Sequence, residues 1–226
     1  MRVISVAAPC NGSGKTSLVS SILKAFPGIF SAAKFTTIYR EEQFCPVKDH
    51  DCACRRLEGQ YIICHDPQIL SQPNTDTGKL WRAGAKQTLW CIARIEGYPE
   101  MLKELSTRYF ENHTLLLMEG NTVVHYVPAH LRLFVVNPLL PPSWWKEDTG
   151  DFLEKANFVI VNSHPTEVPV LTEGPERMDW SARTVLSRVN AKQVAMENSE
   201  RLDRWRDRSL YQAISAVVKD HYEKPS

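Results

Sequence analysis

The sequence predicts an α/β fold with one domain, in which a mostly parallel sheet carries helices on both faces. Three observations lead to this prediction. Continuous apolar runs, typical of strands buried on both faces, recur along the chain. Segments with apolar residues at helical spacing alternate with these runs, as in parallel sheets with helical crossovers. The length of 226 residues, 43% of them hydrophobic, suits a single domain over 1–226.

The predicted elements begin with a strand, a loop and a helix. Residues 2–8 form the first buried strand, and residues 17–26 form a helix that Pro27-Gly28 ends. Further strands are predicted at 31–39, 61–64, 88–94, 113–120, 131–138 and 157–164. Further helices are predicted after a loop within 72–85, at 98–110, at 148–156 and, at the C-terminus, at 191–222. The polar, aperiodic segment at 40–66, rich in cysteine, is interpreted as an excursion from the core.

Composition argues against several classes of protein. Lys and Arg number 27 and Asp and Glu number 26, so the net charge of +1 gives no global attraction to nucleic acid or an anionic membrane. No apolar run approaches the roughly twenty residues that a transmembrane helix needs, and the N-terminal run is too short for a secretory signal. We therefore expect a cytoplasmic protein with no nucleic-acid or membrane partner.

A phosphate-binding loop is predicted at 8–17, APCNGSGKTS, between the first strand and the first helix. The final Gly-Lys-Thr matches the G-x-x-x-x-G-K-[ST] pattern, whereas Pro9 replaces its first glycine. Backbone amides at a helix N-terminus bind anions, the lysine reaches the β- and γ-phosphates, and the threonine hydroxyl ligates Mg²⁺. The residues predicted to bind the nucleotide here are Asn11, Gly12, Ser13, Gly14, Lys15, Thr16 and Ser17. The fold class is then that of a single-domain P-loop NTPase.

Two further residues follow strands and suit the same site. Glu119 ends the most apolar strand, where phosphoryl-transfer sites place a carboxylate that holds Mg²⁺ together with a hydroxyl such as that of Thr16. Asn162 follows a late strand, at a position from which an asparagine amide can read the base. The lysine and aspartate of the guanine-reading N-K-x-D pattern are missing, which favours ATP and leaves GTP open.

The order of these motifs resembles that of the molybdopterin-guanine dinucleotide biosynthesis protein B family and, more loosely, that of dethiobiotin synthetase. The resemblance covers about the first 120 residues. It rests on the phosphate loop, on Lys34 in SAAKFTT, on Asp76 in DTGKLWRAGA and on Glu119-Gly120 after a hydrophobic strand. Phe35 stands where that family has a histidine, and the cysteine-rich segment is a second departure.

The resemblance implies a homodimeric enzyme of cofactor biosynthesis that uses Mg²⁺ and ATP or GTP. Asp76 would then lie near the γ-phosphate or the metal and would act in catalysis with Lys15 and Glu119. Lys34 would face a small-molecule substrate, which the sequence does not identify.

The cysteines of the segment at 40–66 suggest a second metal site. Of the 6 cysteines in the chain, four run as C-x6-C-x-C-x9-C, at Cys45, Cys52, Cys54 and Cys64. Cytoplasmic cysteines are thiols, metal ligands or redox groups rather than structural disulfides. Four thiolates at this spacing predict a site for Zn²⁺ or an iron–sulfur cluster, with burial of the thiols as the alternative.

Two functions follow from these motifs. The first is a Mg²⁺-dependent enzyme that binds ATP or GTP and either phosphorylates or activates a small molecule or hydrolyses the triphosphate. The second is a non-catalytic adaptor or metallochaperone, in which nucleotide state gates the release of a metal from the cysteines. Turnover with a small-molecule acceptor would support the first function.

Overall fold

The computed structural model describes residues 1–38, 57–110, 114–164, 190–197 and 200–223. The strands are β1 Arg2–Ala7, β2 Ser31–Ile38, β3 Tyr61–Cys64, β4 Gln87–Arg94, β5 Leu115–Glu119, β6 Leu131–Val136, β7 Phe158–Val161 and β8 Lys192–Ala195. The α-helices are α1 Lys15–Ala25, α2 Pro67–Leu70, α3 Asp76–Arg82, α4 Tyr98–Glu104, α5 Thr149–Lys155 and α6 Ser209–Glu223. Short 3₁₀ or π turns lie at Ile95–Gly97, Leu105–Tyr109, Thr122–His125, Pro142–Trp144 and Leu202–Arg204.

The described strands form one sheet of 8 strands in the order β3-β4-β2-β5-β1-β6-β7-β8. The strand β1 lies in the interior of this sheet, parallel to β5 on one side and to β6 on the other. Among the described strands, only β3 runs antiparallel, against β4 at one edge of the sheet. Strands that lie between two neighbours and two layers of helices lose solvent on both faces, which explains their continuous apolar sequences.

Helices cover both faces of the sheet, because alternate residues of each strand point to opposite sides. On one face, Ile4 of β1 shares a core cluster with Leu18 of α1 and Ile214 of α6. On the other face, Ala33 of β2 shares a cluster with Met101 of α4, and α5 packs over β6 and β7. The predicted fold class, an α/β domain with a mostly parallel sheet and helices on both faces, is confirmed by this arrangement.

The C-terminal helix predicted over 191–222 is wrong in its first half. The strand β8 occupies the beginning of that range, and α6 begins only at Ser209, whose backbone amide donates to the Asp207 carboxylate at 2.8 Å. Val194 and Trp205, which suggested one apolar stripe, are each 1% exposed but reach the core from a strand and from a short turn. Their helical spacing in the sequence is therefore a coincidence.

The predicted excursion at 40–66 is described only in part by the structure. Of the cysteine-rich excursion at 40–66, residues 40–56 lie outside the described residues, whereas β3 is hydrogen-bonded to β4 and belongs to the sheet.

Concerning membranes, the described helices include none with the length and apolar character that crossing a bilayer requires.

Gly78 in α3 and Gly150 in α5 should respond in opposite ways to alanine. A Cβ at Gly78 would overlap the carbonyl oxygen of Gln72 and approach the capping hydroxyl of Thr75 to 2.9 Å, whereas a Cβ at Gly150 would meet nothing within 4 Å. We expect Gly78→Ala to lower the free energy of unfolding by about 1–3 kcal/mol. Gly150→Ala should raise it by up to about 1 kcal/mol, because alanine is the better helix former. Urea titration of both variants measures these changes, and equal values would contradict the close packing of α3.

Candidate functional site

Three neighbouring strands bring the predicted site residues to one edge of the sheet. In the parallel pairs around β5, Glu119 is the register partner of Val6 in β1 and of Lys34 in β2. The loop that follows β1 leads directly into α1, so Thr16 lies in the first turn of that helix. This is the carboxyl edge of a parallel sheet, where open α/β folds bind their ligands.

The loop between β1 and α1 depends on two glycines. Gly12 has φ 77° and Gly14 has φ 106°, values in the left-handed region that residues with a side chain rarely adopt. Gly14 is the N-cap of α1, and among the described side chains none caps the helix by a hydrogen bond. The first amides of α1, at the positive end of its dipole, are thus available to an anion. Asn11 and Ser17 are exposed, and Ser13 is buried beneath the loop.

A network of charged and polar side chains lies beside this helix terminus. Oε1 of Glu119 accepts hydrogen bonds from the Thr16 hydroxyl at 2.8 Å and from Lys34 Nζ at 2.9 Å. Lys34 Nζ also donates to Oδ2 of Asp76 at 2.6 Å. Four predicted site residues, separated by up to 103 positions in the sequence, are therefore joined by direct contacts.

The second carboxylate oxygen of Glu119 is the exception in this network. Glu119 is only 1% exposed, and its Oε2 has no hydrogen-bond partner among the described residues. A buried acceptor without a donor is costly, and such atoms in native proteins often mark a ligand site. Oε2 is therefore the atom of this network that is best suited to a bound cation.

The charges of the site shift its pKa values in opposite directions. Burial lowers the pKa of Lys15 to about 8, an effect that Glu119 opposes and that the positive charges of Lys34 and Lys146 increase. Burial also disfavours the charge of Lys34, but Glu119 and Asp76 outweigh it and raise the pKa of this lysine. Burial acts to raise the pKa of Asp76, whereas Lys34 and then Lys79 lower it overall. Lys34 thus remains a cation between two anions, and Lys15 can lose its charge just above neutral pH.

The Asn162 side chain contacts the phosphate loop. Its Nδ2 donates to the carbonyl oxygen of Ser13 at 2.9 Å, and its Oδ1 accepts from the backbone amide of His164 at 3.2 Å. The residue is 5% exposed, and its amide packs on Gly14 so closely that a Cβ there would lie 2.5 Å from Nδ2. The predicted contact of Asn162 with a base stays a prediction.

Asn121 is a site residue that the sequence reasoning missed. Its Oδ1 accepts from the backbone amide of Ala8 at 3.1 Å, and its Nδ2 donates to the carbonyl oxygen of the same residue. Ala8 is the first residue after β1, where the phosphate loop begins. The available signal was an asparagine directly after Glu119-Gly120, at the end of a strand that neighbours β1.

The predicted Zn²⁺ or iron–sulfur site falls largely outside the described residues. Cys45, Cys52 and Cys54 all lie outside the described residues. Cys64, the fourth predicted ligand, is a half-buried free thiol in β3, and burial raises its pKa. Within the described ranges, no three His, Cys, Asp or Glu side chains are grouped as they would be around a metal ion.

Neither a protein-family model nor a curated protein matches the chain. Among solved structures, the "apo" form of LpxK from Aquifex aeolicus, in complex with ATP, aligns over 87% of this chain and 54% of that chain, at 13% identity and a TM-score of 0.46. The MinC:MinD cell division protein complex from Aquifex aeolicus aligns over 99% of this chain and 95% of that chain, at 16% identity and a TM-score of 0.39. This chain thus spans about half the length of the LpxK chain. Similarities at this level carry no information about substrate or reaction, and the fold class rests on the strand order described above.

Lys34 and Lys79 both lie close to Asp76, yet their removal should affect stability very differently. Lys34 is 19% exposed and also neutralises the buried Glu119, whereas Lys79 is 54% exposed and lies 3.8 Å from Asp76. We expect Lys34→Met to lower the free energy of unfolding by about 3 kcal/mol near neutral pH, because it removes the cation that is hydrogen-bonded to the buried carboxylate of Glu119. Lys79→Met, the matched control, should cost less than about 1 kcal/mol.

The pH dependence of the Lys34 effect has a defined sign. Lys34 holds the pKa of Asp76 below its usual 3.8, so the stabilisation is present above that value and is lost as the pH falls through the lowered pKa. The part of the difference between the native protein and Lys34→Met that comes from Asp76 should therefore shrink below about pH 4. Denaturant titrations at several pH values measure it, and equal losses for the two lysine variants would contradict the network.

Proposed function

We propose that the protein binds a nucleoside triphosphate with Mg²⁺ and catalyses the transfer or hydrolysis of its terminal phosphoryl group. One observation carries this proposal. An uncapped helix terminus, with a glycine loop and Lys15, lies beside the bonded cluster of Thr16, Lys34, Asp76 and Glu119. Phosphoryl transfer requires this combination of an anion cradle, mobile positive charge and metal-binding oxygens in one place.

The triphosphate would lie along the loop and the first turn of α1. The left-handed backbone at Gly12 and Gly14 allows the loop to curve closely around phosphate oxygens. Lys15 Nζ lies 3.4 Å from the carbonyl oxygen of Cys10, within the loop itself, and a bound phosphate would offer it a much stronger acceptor. Binding of the phosphate would also favour the charged form of a lysine whose pKa is about 8.

The donor set fits Mg²⁺. This ion binds one or two carboxylates together with substrate phosphates and water, and the site offers the Thr16 hydroxyl and the unpartnered Oε2 of Glu119. When bound, the ion would neutralise charge on the phosphate oxygens. Asp76 accepts from Lys34 Nζ and is partly exposed, so it is available to orient an acceptor hydroxyl or a water molecule.

The surroundings of Lys34 and the resemblance to the molybdopterin-guanine dinucleotide biosynthesis protein B family support a proposal for the substrate class. The ammonium group of Lys34 meets two carboxylates at the strand edge, where an anionic small molecule would compete for it. We infer a small-molecule acceptor in cofactor biosynthesis, with ATP or GTP as the phosphoryl donor. A homodimer, as the resemblance implies, remains part of this proposal.

Replacement of Lys15 tests the phosphate site. We expect Lys15→Met to weaken the binding of MgATP roughly 10- to 100-fold, because hydrogen bonds to charged groups contribute about 1.5–3 kcal/mol. Lys24→Met is the control, since Lys24 lies on the same helix but pairs with Glu200 at 2.7 Å. The affinity of the native protein should also fall as the pH rises through about 8, as Lys15 loses its proton. Calorimetric titration gives both results, and unchanged affinity in Lys15→Met would refute the assignment.

The metal site is tested through the Thr16 hydroxyl. In the native protein, the affinity for ATP should be higher with Mg²⁺ than with EDTA, because the metal links the phosphates to Thr16 and Glu119. In Thr16→Val this difference should shrink by about tenfold. Thr107→Val is the control, because it removes an exposed hydroxyl just after α4 that donates to backbone carbonyl oxygens of that helix, and it should leave the difference unchanged. The same Mg²⁺ dependence in the native protein and in Thr16→Val would exclude Thr16 as a ligand.

A further inference from the structure

Asparagines follow three strands at the carboxyl edge of the sheet, and each directs both polar atoms of its side chain to backbone groups. Asn121, Asn137 and Asn162 come after β5, β6 and β7, and they are 8%, 1% and 5% exposed. A buried amide side chain requires hydrogen-bond partners for its oxygen and its nitrogen. Two of these asparagines, Asn121 and Asn162, find partners in the phosphate loop.

Asn121 holds the beginning of the loop. The backbone amide of Ala8 donates to Oδ1 of Asn121, and Nδ2 of Asn121 donates back to the carbonyl oxygen of Ala8. The side chain thus imitates a neighbouring peptide group and continues the pairing of β1 with β5 beyond the last residue of the strand, where Gly120 still donates to Val6. A paired contact of this kind fixes both the position and the direction of the chain as it enters the loop.

Asn162 holds the loop at its other end, just before α1. Its Oδ1 accepts from the amide of His164, which turns the NH₂ group towards the carbonyl oxygen of Ser13. Ser13 is the residue between the two left-handed glycines. Fixing this carbonyl oxygen orients the peptide group that joins Ser13 to Gly14, the N-cap of α1.

The position of the first glycine in the phosphate-loop pattern carries Pro9. Proline has no amide hydrogen, so Pro9 contributes only its carbonyl oxygen, which accepts from the Lys146 amide at 3.0 Å. Gly12 and Gly14 have φ values above 70°, and flexible glycines leave such conformations readily unless other contacts hold the backbone. A loop that presents amides to an anion gains affinity when it is already in the binding conformation.

We propose that Asn121 and Asn162 are positioning residues that hold the phosphate loop in its anion-binding conformation. This inference rests on the proposed function for its consequence in binding. It assigns to Asn162 a role on the phosphate chain that is independent of the base, because its amide is bound to Ser13 and buried against Gly14. The two asparagines should therefore affect every ligand that carries a triphosphate by the same factor.

Asn137 provides a matched control. It is equally buried, and its Nδ2 donates to the carbonyl oxygen of His164 at 3.0 Å while its Oδ1 accepts from the amide of Leu139 at 2.9 Å. Its amide thus makes the same kind of backbone contacts at the end of the neighbouring strand, and these contacts go to residues outside the loop. Asn137 reaches the loop only indirectly, since its partner His164 also donates to Asn162, so alanine at this position should destabilise the protein while loosening the loop much less than alanine at Asn162.

The experiment compares Asn121→Ala, Asn162→Ala and Asn137→Ala in the full chain. Hydrogen exchange of peptides that cover 8–17 is measured by mass spectrometry without ligand. The affinities for the Mg²⁺ complexes of ATP, GTP and inorganic tripolyphosphate are measured by calorimetry. Thermal denaturation records the loss of stability in each variant, and serine replaces alanine at any position where the alanine variant does not fold.

We expect faster exchange of the loop in Asn121→Ala and Asn162→Ala, and a much smaller increase in Asn137→Ala at a similar loss of thermal stability. The affinity for each of the three ligands should fall by about five- to tenfold in the two loop variants. Unchanged loop exchange, or equally increased exchange in Asn137→Ala, would overturn the proposal. A loss for ATP or GTP with unchanged tripolyphosphate affinity would instead make Asn162 a base reader. If the native protein binds none of the three ligands, the proposed function fails, and the exchange data still decide whether the asparagines hold the loop.

Discussion

Glu119 places a carboxylate at the end of a central strand where only 1% of its surface meets solvent. A buried carboxylate without compensation costs several kcal/mol, so the residues around it are constrained by its charge. Thr16 from the first turn of α1 and Lys34 from β2 supply the compensating hydrogen bonds. Lys34 is bound in turn to Asp76 at the beginning of α3, so one carboxylate links two strands and two helices. The backbone supports this arrangement, since Gly120 packs so closely on Phe35 that a Cβ would come within 2.8 Å of it.

The same charge balance gives the edge of the sheet its chemical character. Acidic and basic groups alternate across it, so neither sign dominates and each charged group has a partner that a ligand can replace. A phosphate would compete with the Cys10 carbonyl for Lys15, and a divalent cation would compete with Lys34 for Glu119. Preorganisation of this kind places the groups before the ligand arrives, which is the main contribution that a protein makes to phosphoryl transfer.

Much of the fold could be predicted from the sequence because each interior strand is buried on both faces and therefore consists almost entirely of apolar residues. The order of strand, glycine loop and helix likewise placed Lys15 and Thr16 without knowledge of the rest of the chain. The separation of β8 from α6 could not be predicted, since Val194 and Trp205 have helical spacing although they reach the core independently. The family resemblance suggested that Lys34 and Asp76 belong to the site, but their direct contact across 42 positions was not predicted. Asn121 was missed because side-chain bonds to backbone leave no periodic signal.

The two outermost strands of the described sheet, β3 and β8, are each only four residues long. An open sheet edge offers unpaired backbone groups to any other extended chain, and long flat edges promote aggregation. One edge is the short antiparallel strand β3, and the other is the short strand β8, which begins with the exposed, charged Lys192. Edge-to-edge growth of the sheet from one molecule to the next is therefore disfavoured. A crowded population of this protein should accordingly resist the formation of ordered fibrils that extend the described sheet through β3 or β8.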